Sequence, residues 1–337
     1  MTTTQTIRDD SVDKPVEQPE SSRRSAGDFW SVYGVPLALL AVAVVFAVAA
    51  EGFLTSDNLV NVFRQSAVTA IAAAGATMIL IAGGIDISQG AVMAASGLSA
   101  VALAERSGLP DVLAVLIAML LALTMGAING LLAERLRIPA FIATLGTALV
   151  IRGVAFVRTE GRSIGFTGDR GDFITWLGKG DIGPIPTPIV IMFAVYGISA
   201  AVMSRTVWGL HTYAVGCSES ASRIAGVRVA RHRISIYAVG GLISGLAGVV
   251  LAGRLGSASP GLATGAEFDI LTAVVLGGTS IYGGRGNVLR TLVGALFLSV
   301  LTNGLILMKV PTFYQPITVG LVLLGALSVD RLRSDKA

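Results

Sequence analysis

Residues 112–133 read VLAVLIAMLLALTMGAINGLLA, twenty-two residues without a single charge. At 1.5 Å per residue such a run extends about 33 Å as a helix, enough to cross a hydrocarbon core of about 30 Å. A soluble helix of that length would carry a charged face. The rest of the chain has the same character. Hydrophobic residues make up 53% of its 337 positions and charged residues only 14%, against about 25% in a soluble domain. Mean hydropathy is +0.75. A soluble globule of this size needs a charged surface that this sequence does not supply, which excludes a soluble enzyme. Forty-one glycines suit helices that approach one another closely in lipid.

Similar apolar segments fall at about 30–50, 67–84, 87–104, 138–157, 188–204, 234–253, 268–282, 289–308 and 314–329. With 112–133 they make ten expected transmembrane helices in an all-α polytopic membrane protein. Gly83-Gly84 and Gly277-Gly278 stand where two of them would break. Ten crossings leave both termini on one side. If that side is cytoplasmic, the inner segments hold sixteen Lys and Arg and the outer segments eight, the bias that orients membrane proteins. Residues 1–28 are polar and without apolar periodicity, which predicts a disordered cytoplasmic tail ahead of a permease domain over 29–333. Residues 55–66 (TSDNLVNVFRQS) predict a short interfacial helix capped by Thr55 or Ser56. Two loops are longer than connectors need to be. The outer one, 158–187, offers Phe173 and Trp176 to the lipid interface. The inner one, 205–233, is strongly basic.

Several chemistries are absent. There is no G-x-x-x-x-G-K-[ST] phosphate loop, so ATP is not bound in that way by this chain, and there is no H-E-x-x-H. A single cysteine, Cys217, rules out an internal disulfide and a cysteine metal cage. No metal site and no catalytic residue is expected. The basic residues do not form a stripe interleaved with aromatics, so nucleic acid is not an expected partner.

The polar residues inside apolar segments carry more information, because a charged group in a span costs about 2.5–3.5 kcal/mol and turns toward the interior or a wet cavity. Asp86, Asn129 and Asn303 each interrupt an apolar segment beside glycine and are the candidates for a polar path. Each has a plainer alternative. Asp86 with Ser88 could cap the next helix, and Asn303 could be a satisfied interhelical hydrogen bond. Arg152 reads as a side chain snorkelling to the outer headgroups. In the inner loop, Ser218 can cap a helix with Glu219 in its first turn. Ala221, Ile224 and Ala225 share one face, and Gly226 is placed to end it. Such a two-turn helix suits a groove on a partner protein, or it lies on the inner leaflet held by neighbouring arginines.

IAGGIDISQG (81–90) resembles VLGGTSIYGG (275–284), and RIPAF (137–141) resembles KVPTF (309–313). The two offsets differ, so they do not come from one repeat.

Taken in order, GGIDIS (83–88), IPAFIATLGTALVIRG (138–153), VGCSESASRIAGV (215–227), TGAEFDILTAVVLGGTSIYGG (264–284) and TNG (302–304) resemble the membrane permease subunits of bacterial ABC importers for monosaccharides, the ribose permease group in particular. The resemblance covers about residues 30 to 333. It implies a homodimer of ten-span subunits in the inner membrane. A periplasmic sugar-binding protein delivers the substrate, and a cytoplasmic ATP-binding subunit holds the ATP and Mg. It maps the family's cytoplasmic coupling helix onto 216–227, which carries over Glu219, Ala221 and Gly226. Cys217-Ser218 stand where the family usually has Gly-Asn, and a serine cap can replace an asparagine cap. The function implied is import of a ribose-, xylose- or galactose-like sugar, with no cofactor in this chain. A permease for branched-chain amino acids or another small polar solute, an ion-coupled secondary carrier, and a membrane scaffold are the alternatives.

Overall fold

The structure is a computed structural model that describes residues 26–334 except 137, 168 and 169. Its helices, in chain order, are α1 (Ala26–Ala49), α2 (Ser56–Ile81), α3 (Gln89–Glu105), α4 (Asp111–Arg135), α5 (Ala140–Thr159), α6 (Asp172–Lys179), α7 (Thr187–Arg205), α8 (Val207–Cys217), α9 (Glu219–Ile224), α10 (Val229–Leu255), α11 (Ala266–Leu276), α12 (Val288–Leu307) and α13 (Gln315–Ser334). Among the described residues β structure is limited to two-residue pairs, Ile164–Gly165 with Ser257–Ala258 and Asp181–Ile182 with Ile185–Pro186. Six helices, α2, α4, α5, α7, α10 and α12, are long and apolar enough to cross a membrane. The protein is therefore an all-α polytopic membrane protein. Each of the ten expected segments lies on a helix, although α3 has 17 residues and α11 only 11. The compact body runs from Val35 onward. Most of the expected tail, residues 1–25, lies outside the described residues, and α1 begins at Ala26, three residues before the expected start of the domain at 29.

One expectation needs correction, and the two long loops hold more structure than expected. Residues 55–66 are not a separate interfacial helix. Thr55 Oγ1 accepts from Asn58 N (3.4 Å), and the helix then runs without a break to Ile81. No proline occurs in it and its one glycine, Gly75, lies well beyond residue 66, so its buried face continues through Val62, Ser66 and Ala70. The inner loop holds two helices, α8 and α9, rather than one. The outer loop's α6 packs on α10 as well as reaching outward. Phe173 and Trp176 stack at 6.0 Å, with Trp176 exposed, while Ile174 is fully buried.

α10 is the central strut, and glycine sets how close its neighbours come. A Cβ on Gly241 would stand 2.5 Å from the Ala122 carbonyl of α4. One on Gly248 would stand 2.1 Å from the Met93 carbonyl of α3, and one on Gly253 1.9 Å from the Ile174 carbonyl of α6. On the α2 side, Gly75 and Gly240 face each other, with a Cβ on Gly75 reaching 3.2 Å from Gly240 Cα. In lipid there is no hydrophobic drive between helices, so this close packing is itself the stabilising contact.

Gly241→Ala should lower the thermal stability of the detergent-purified protein, by about 1–3 kcal/mol of overpacking. Gly197→Ala, where a Cβ meets nothing within 4 Å, should be neutral or slightly stabilising. Melting curves of the two variants side by side check this.

Candidate functional site

Two helix ends are built alike. At the end of α2 the N–H groups of Gly83 and Gly84 bond to the carbonyls of Leu80 and Ile79 (both 2.9 Å), with Gly83 at φ +78°. At the end of α11 the N–H groups of Gly278 and Thr279 bond to Val275 and Val274 (2.9 and 3.3 Å), with Gly278 at φ +83°. Both are Schellman caps, which need a left-handed residue that only glycine adopts cheaply. The structural equivalence pairs Gly83 with Gly278. That is one residue out of step with the pairing read from the sequence, where Gly83 matched Gly277.

Both broken ends meet the inner loop. Gly284 N–H donates to the Ile81 carbonyl at 2.8 Å. A Cβ on Gly216, at the end of α8, would lie 1.8 Å from that same carbonyl oxygen, and a Cβ on Gly283 would lie 2.8 Å from Gly83 Cα. Tyr237 OH, from α10, donates to the Ile85 carbonyl (3.2 Å), and Tyr213 OH, from α8, to the Gly286 carbonyl (3.0 Å). Three segments distant in sequence, 81–88, 213–217 and 283–286, thus join backbone to backbone.

Asp86 and Asn129 belong to one network beside this junction. Asp86 Oδ1 accepts from the Ser88 backbone N–H (2.8 Å) and from Ser88 Oγ (2.6 Å). Asn129 Nδ2 donates to Ser88 Oγ (2.7 Å), and Thr147 Oγ1 donates to Asn129 Oδ1 (2.6 Å). The chain of bonds ties the start of α3 to α4 and α5. Asn129 is completely buried. Asn303 is not part of it. It pairs with Asn58 in both directions, Asn303 Nδ2 to Asn58 Oδ1 at 2.9 Å and the reverse at 3.0 Å, which joins α12 to the first turn of α2. Arg152 turns inward rather than to headgroups. Its guanidinium donates to Thr264 Oγ1 (2.8 Å) and the Ala263 carbonyl (3.4 Å) and lies 3.7 Å from Glu267. The side chain of Gln89, which sequence reasoning passed over, is fully buried, and neither end of its amide has a partner among the described residues.

The inner loop folds as its local chemistry dictates. Ser218 Oγ caps α9 by accepting from Ala221 N (3.3 Å), and Glu219 occupies the first turn. The helix ends at Gly226, φ +85°, where Gly226 N bonds to Arg223 O and Val227 N to Ser222 O. Glu219 is held from two sides, by Arg223 at 2.6 Å and by Arg233 at 3.0 Å. The hydrogen bond from Arg223, with the charge of Arg233 behind it, keeps the Glu219 carboxyl below the usual range. Arg233 also reaches Glu134 at the end of α4 (3.0 Å), so one guanidinium fastens α9 to α4 and α10. On the other side of α9, Ala221 and Ala225 are exposed and Ile224 is 89% exposed.

Two cavities bear on function. One of about 620 Å³ lies among α3, α4 and α5 and is lined mainly by Leu, Ile, Val and Ala. The other, about 470 Å³, lies among α2, α11, α12 and the start of α13 and mixes polar residues with apolar ones. Among the described residues no group of three or more His, Cys, Asp or Glu side chains is placed to hold a metal.

A helical membrane bundle with broken helices, a cleft that mixes polar and apolar residues, and an exposed short helix held by ion pairs on a connecting loop is the build of a transport permease. Residues 58–327 match the family described as branched-chain amino acid transport system / permease component, and the chain belongs to that family. Along most of its length it is similar to the ribose import permease protein of Escherichia coli K12, 38% identical over 316 residues covering 93% of this chain and 98% of the relative. It is also similar to the D-allose transport system permease protein of the same organism, 33% identical over 308 residues (91% and 93%). The fructose import permease protein of Rhizobium meliloti is 34% identical over 304 residues (88% and 84%). No solved structure matches.

Arg233→Gln should loosen α9 without unfolding the bundle. Amide exchange at Ala221–Gly226 should rise about fivefold, the value of a partly exposed ion pair of about 1 kcal/mol. Hydrogen–deuterium exchange on the purified variant checks this.

Proposed function

We propose that this chain is the membrane-spanning subunit of an ATP-driven importer that carries a monosaccharide across the bacterial inner membrane. The observation that carries the reading is the near end-to-end similarity to a ribose import permease, 38% over 316 residues. The family description is broader than sugars, but the ribose, D-allose and fructose permeases align over 88–93% of the chain. The chain is a transport subunit rather than an enzyme. It has no phosphate loop, and in this reading ATP and Mg²⁺ are bound by a separate cytoplasmic subunit. A periplasmic binding protein delivers the sugar, and a second copy of the chain completes the pathway.

In the proposed topology α1, α2, α3, α4, α5, α7, α10, α11, α12 and α13 make ten crossings with both termini and α9 in the cytoplasm. Several features support it. α11 is half the length of its neighbours, at 11 residues, but the turns at 277–286 extend it toward α8. α3 is buried along most of its length and needs no lipid-facing surface. The alternation of sides then puts the α2–α3 break, the 283–286 turn and α9 together on the inner face.

The exposed Ala221, Ile224 and Ala225 are the proposed contact with the ATP-binding subunit. Ser218, Glu219 and Gly226 give the helix its shape. For the polar path, Asp86 is the one charged residue of the three, and Ser88 orients its carboxylate. Asn129 and Asn303, whose amides are engaged with other side chains, act in this reading by fixing helix positions.

Ala221→Arg should place an unpaired charge in the docking groove, at a cost of several kcal/mol. The variant should reach the membrane, lose co-purification with the ATP-binding subunit, and drop sugar uptake more than tenfold. Normal assembly and uptake would refute the docking assignment.

A further inference from the structure

The polar cavity has the composition of a binding site rather than of a packing defect. Nine of its fifteen lining residues are polar. They arrive in helical register: Gln65 and Thr69 from α2, Asp269 and Thr272 from α11, Ser299 and Thr302 from α12. Each pair is spaced i,i+3 or i,i+4, so each helix turns one polar stripe to the same space. Gln315, opening α13, closes the ring.

Most of this polarity is unspent. Thr272 gives its hydroxyl to the Phe268 carbonyl (2.7 Å), and Thr264 gives its own to Gly261 (2.7 Å). Among the described residues the side chains of Gln65, Asp269, Ser299 and Gln315 make no hydrogen bond within the chain, and Gln315 Nε2 is buried without a partner. Burying Gln315 Nε2 without a partner costs free energy that no contact within the chain returns, and the half-buried Gln65 and Asp269 add open bonding capacity beside it. Water or a polar ligand must complete them. At about 470 Å³ the cavity is within the range of small-molecule sites, about 300–1,000 Å³.

The donor and acceptor set narrows the ligand. Asp269 supplies two acceptor oxygens on one carbon, the match for two adjacent hydroxyl donors. Gln65 and Gln315 each supply a donor and an acceptor, as a hydroxyl group requires. Phe268, 58% exposed beside Asp269, offers an apolar face. No Lys or Arg lines the cavity, which disfavours phosphorylated or carboxylated ligands. We propose that this cavity is a binding site, within the permease itself, for one uncharged polyhydroxylated molecule of monosaccharide size. Asp269, Gln65, Gln315 and Ser299 are its hydrogen-bonding groups. The inference rests on the sugar-import reading and adds a site and its residues to it.

Its position is informative. Gln65 precedes Ile81 by sixteen residues on one straight helix, a rise of about 24 Å. The cavity therefore faces the middle of α2, and the glycine junction lies at its C-terminal end.

The test uses the permease with its ATP-binding subunit in nanodiscs, without binding protein, and radiolabelled D-ribose, D-allose and D-fructose. Saturable binding of at least one sugar is expected, with Asp269→Asn and Gln65→Leu each weakening it about tenfold and Ser299→Ala about threefold. Ser107→Ala, at the apolar cavity, should leave it unchanged. If Gln65→Leu fails to assemble, Asp269→Asn and Ser299→Ala, which keep side-chain volume nearly constant, carry the test. A complex that imports a sugar when given its binding protein, but shows no saturable binding alone or binding unaffected by these variants, overturns the site and leaves the import reading standing. A complex that imports none of the sugars overturns both.

Discussion

The hydrogen bond from the Gly284 amide to the Ile81 carbonyl, 2.8 Å long, forms at a place where three backbones are pressed together. A methyl group on Gly216 would stand 1.8 Å from that oxygen, and one on Gly283 would strike Gly83. The contact has no side chains to adjust, so it transmits displacement with little slack. On one side of it lie the ends of α2 and α11. On the other lies α8, which leads through a single residue, Ser218, into α9. Movement of α9 must therefore shift the junction, and the junction holds the ends of the helices that also line the polar cavity.

The same economy governs the rest of the bundle. Glycine on α10 lets four helices approach its backbone, and several buried polar groups are paired across helices. The reciprocal Asn58–Asn303 amide pair and the Asp86–Ser88–Asn129–Thr147 chain each fasten elements far apart in sequence. In lipid an unpaired amide is costly, so the exceptions stand out. Among the described residues the Gln89 amide, Gln315 Nε2 and the hydroxyls of Thr187, Ser244 and Thr279 are buried without a partner.

How much of this was legible in the sequence follows the range of each interaction. The helix positions were plain, because twenty uncharged residues have few other fates. The cap of α9 was plain as well, because Ser218, Glu219 and Gly226 lie within nine residues of one another. The polar opening of α2 was misleading. Asn58 and Arg64 look like the wet face of an interfacial helix until their partners Asn303 and Asp181 are seen, 245 and 117 positions away. Arg152 was misjudged for the same reason, since its acceptors lie more than a hundred residues on. The glycine pairs at 83–84 and 277–278 were recognised as breaks, but their correspondence slipped by one residue. Schellman geometry fixes the equivalence, and a short string match does not. Neither the junction nor the cavity has a local signature at all.

The most direct measurement is uptake into proteoliposomes that hold the permease, its ATP-binding subunit and the periplasmic binding protein. The account predicts that one of D-ribose, D-allose or D-fructose accumulates only with hydrolysable ATP on the cytoplasmic side, and that a non-hydrolysable analogue stops it. Accumulation by the permease alone under an imposed proton gradient, with no ATP-binding subunit present, would contradict it.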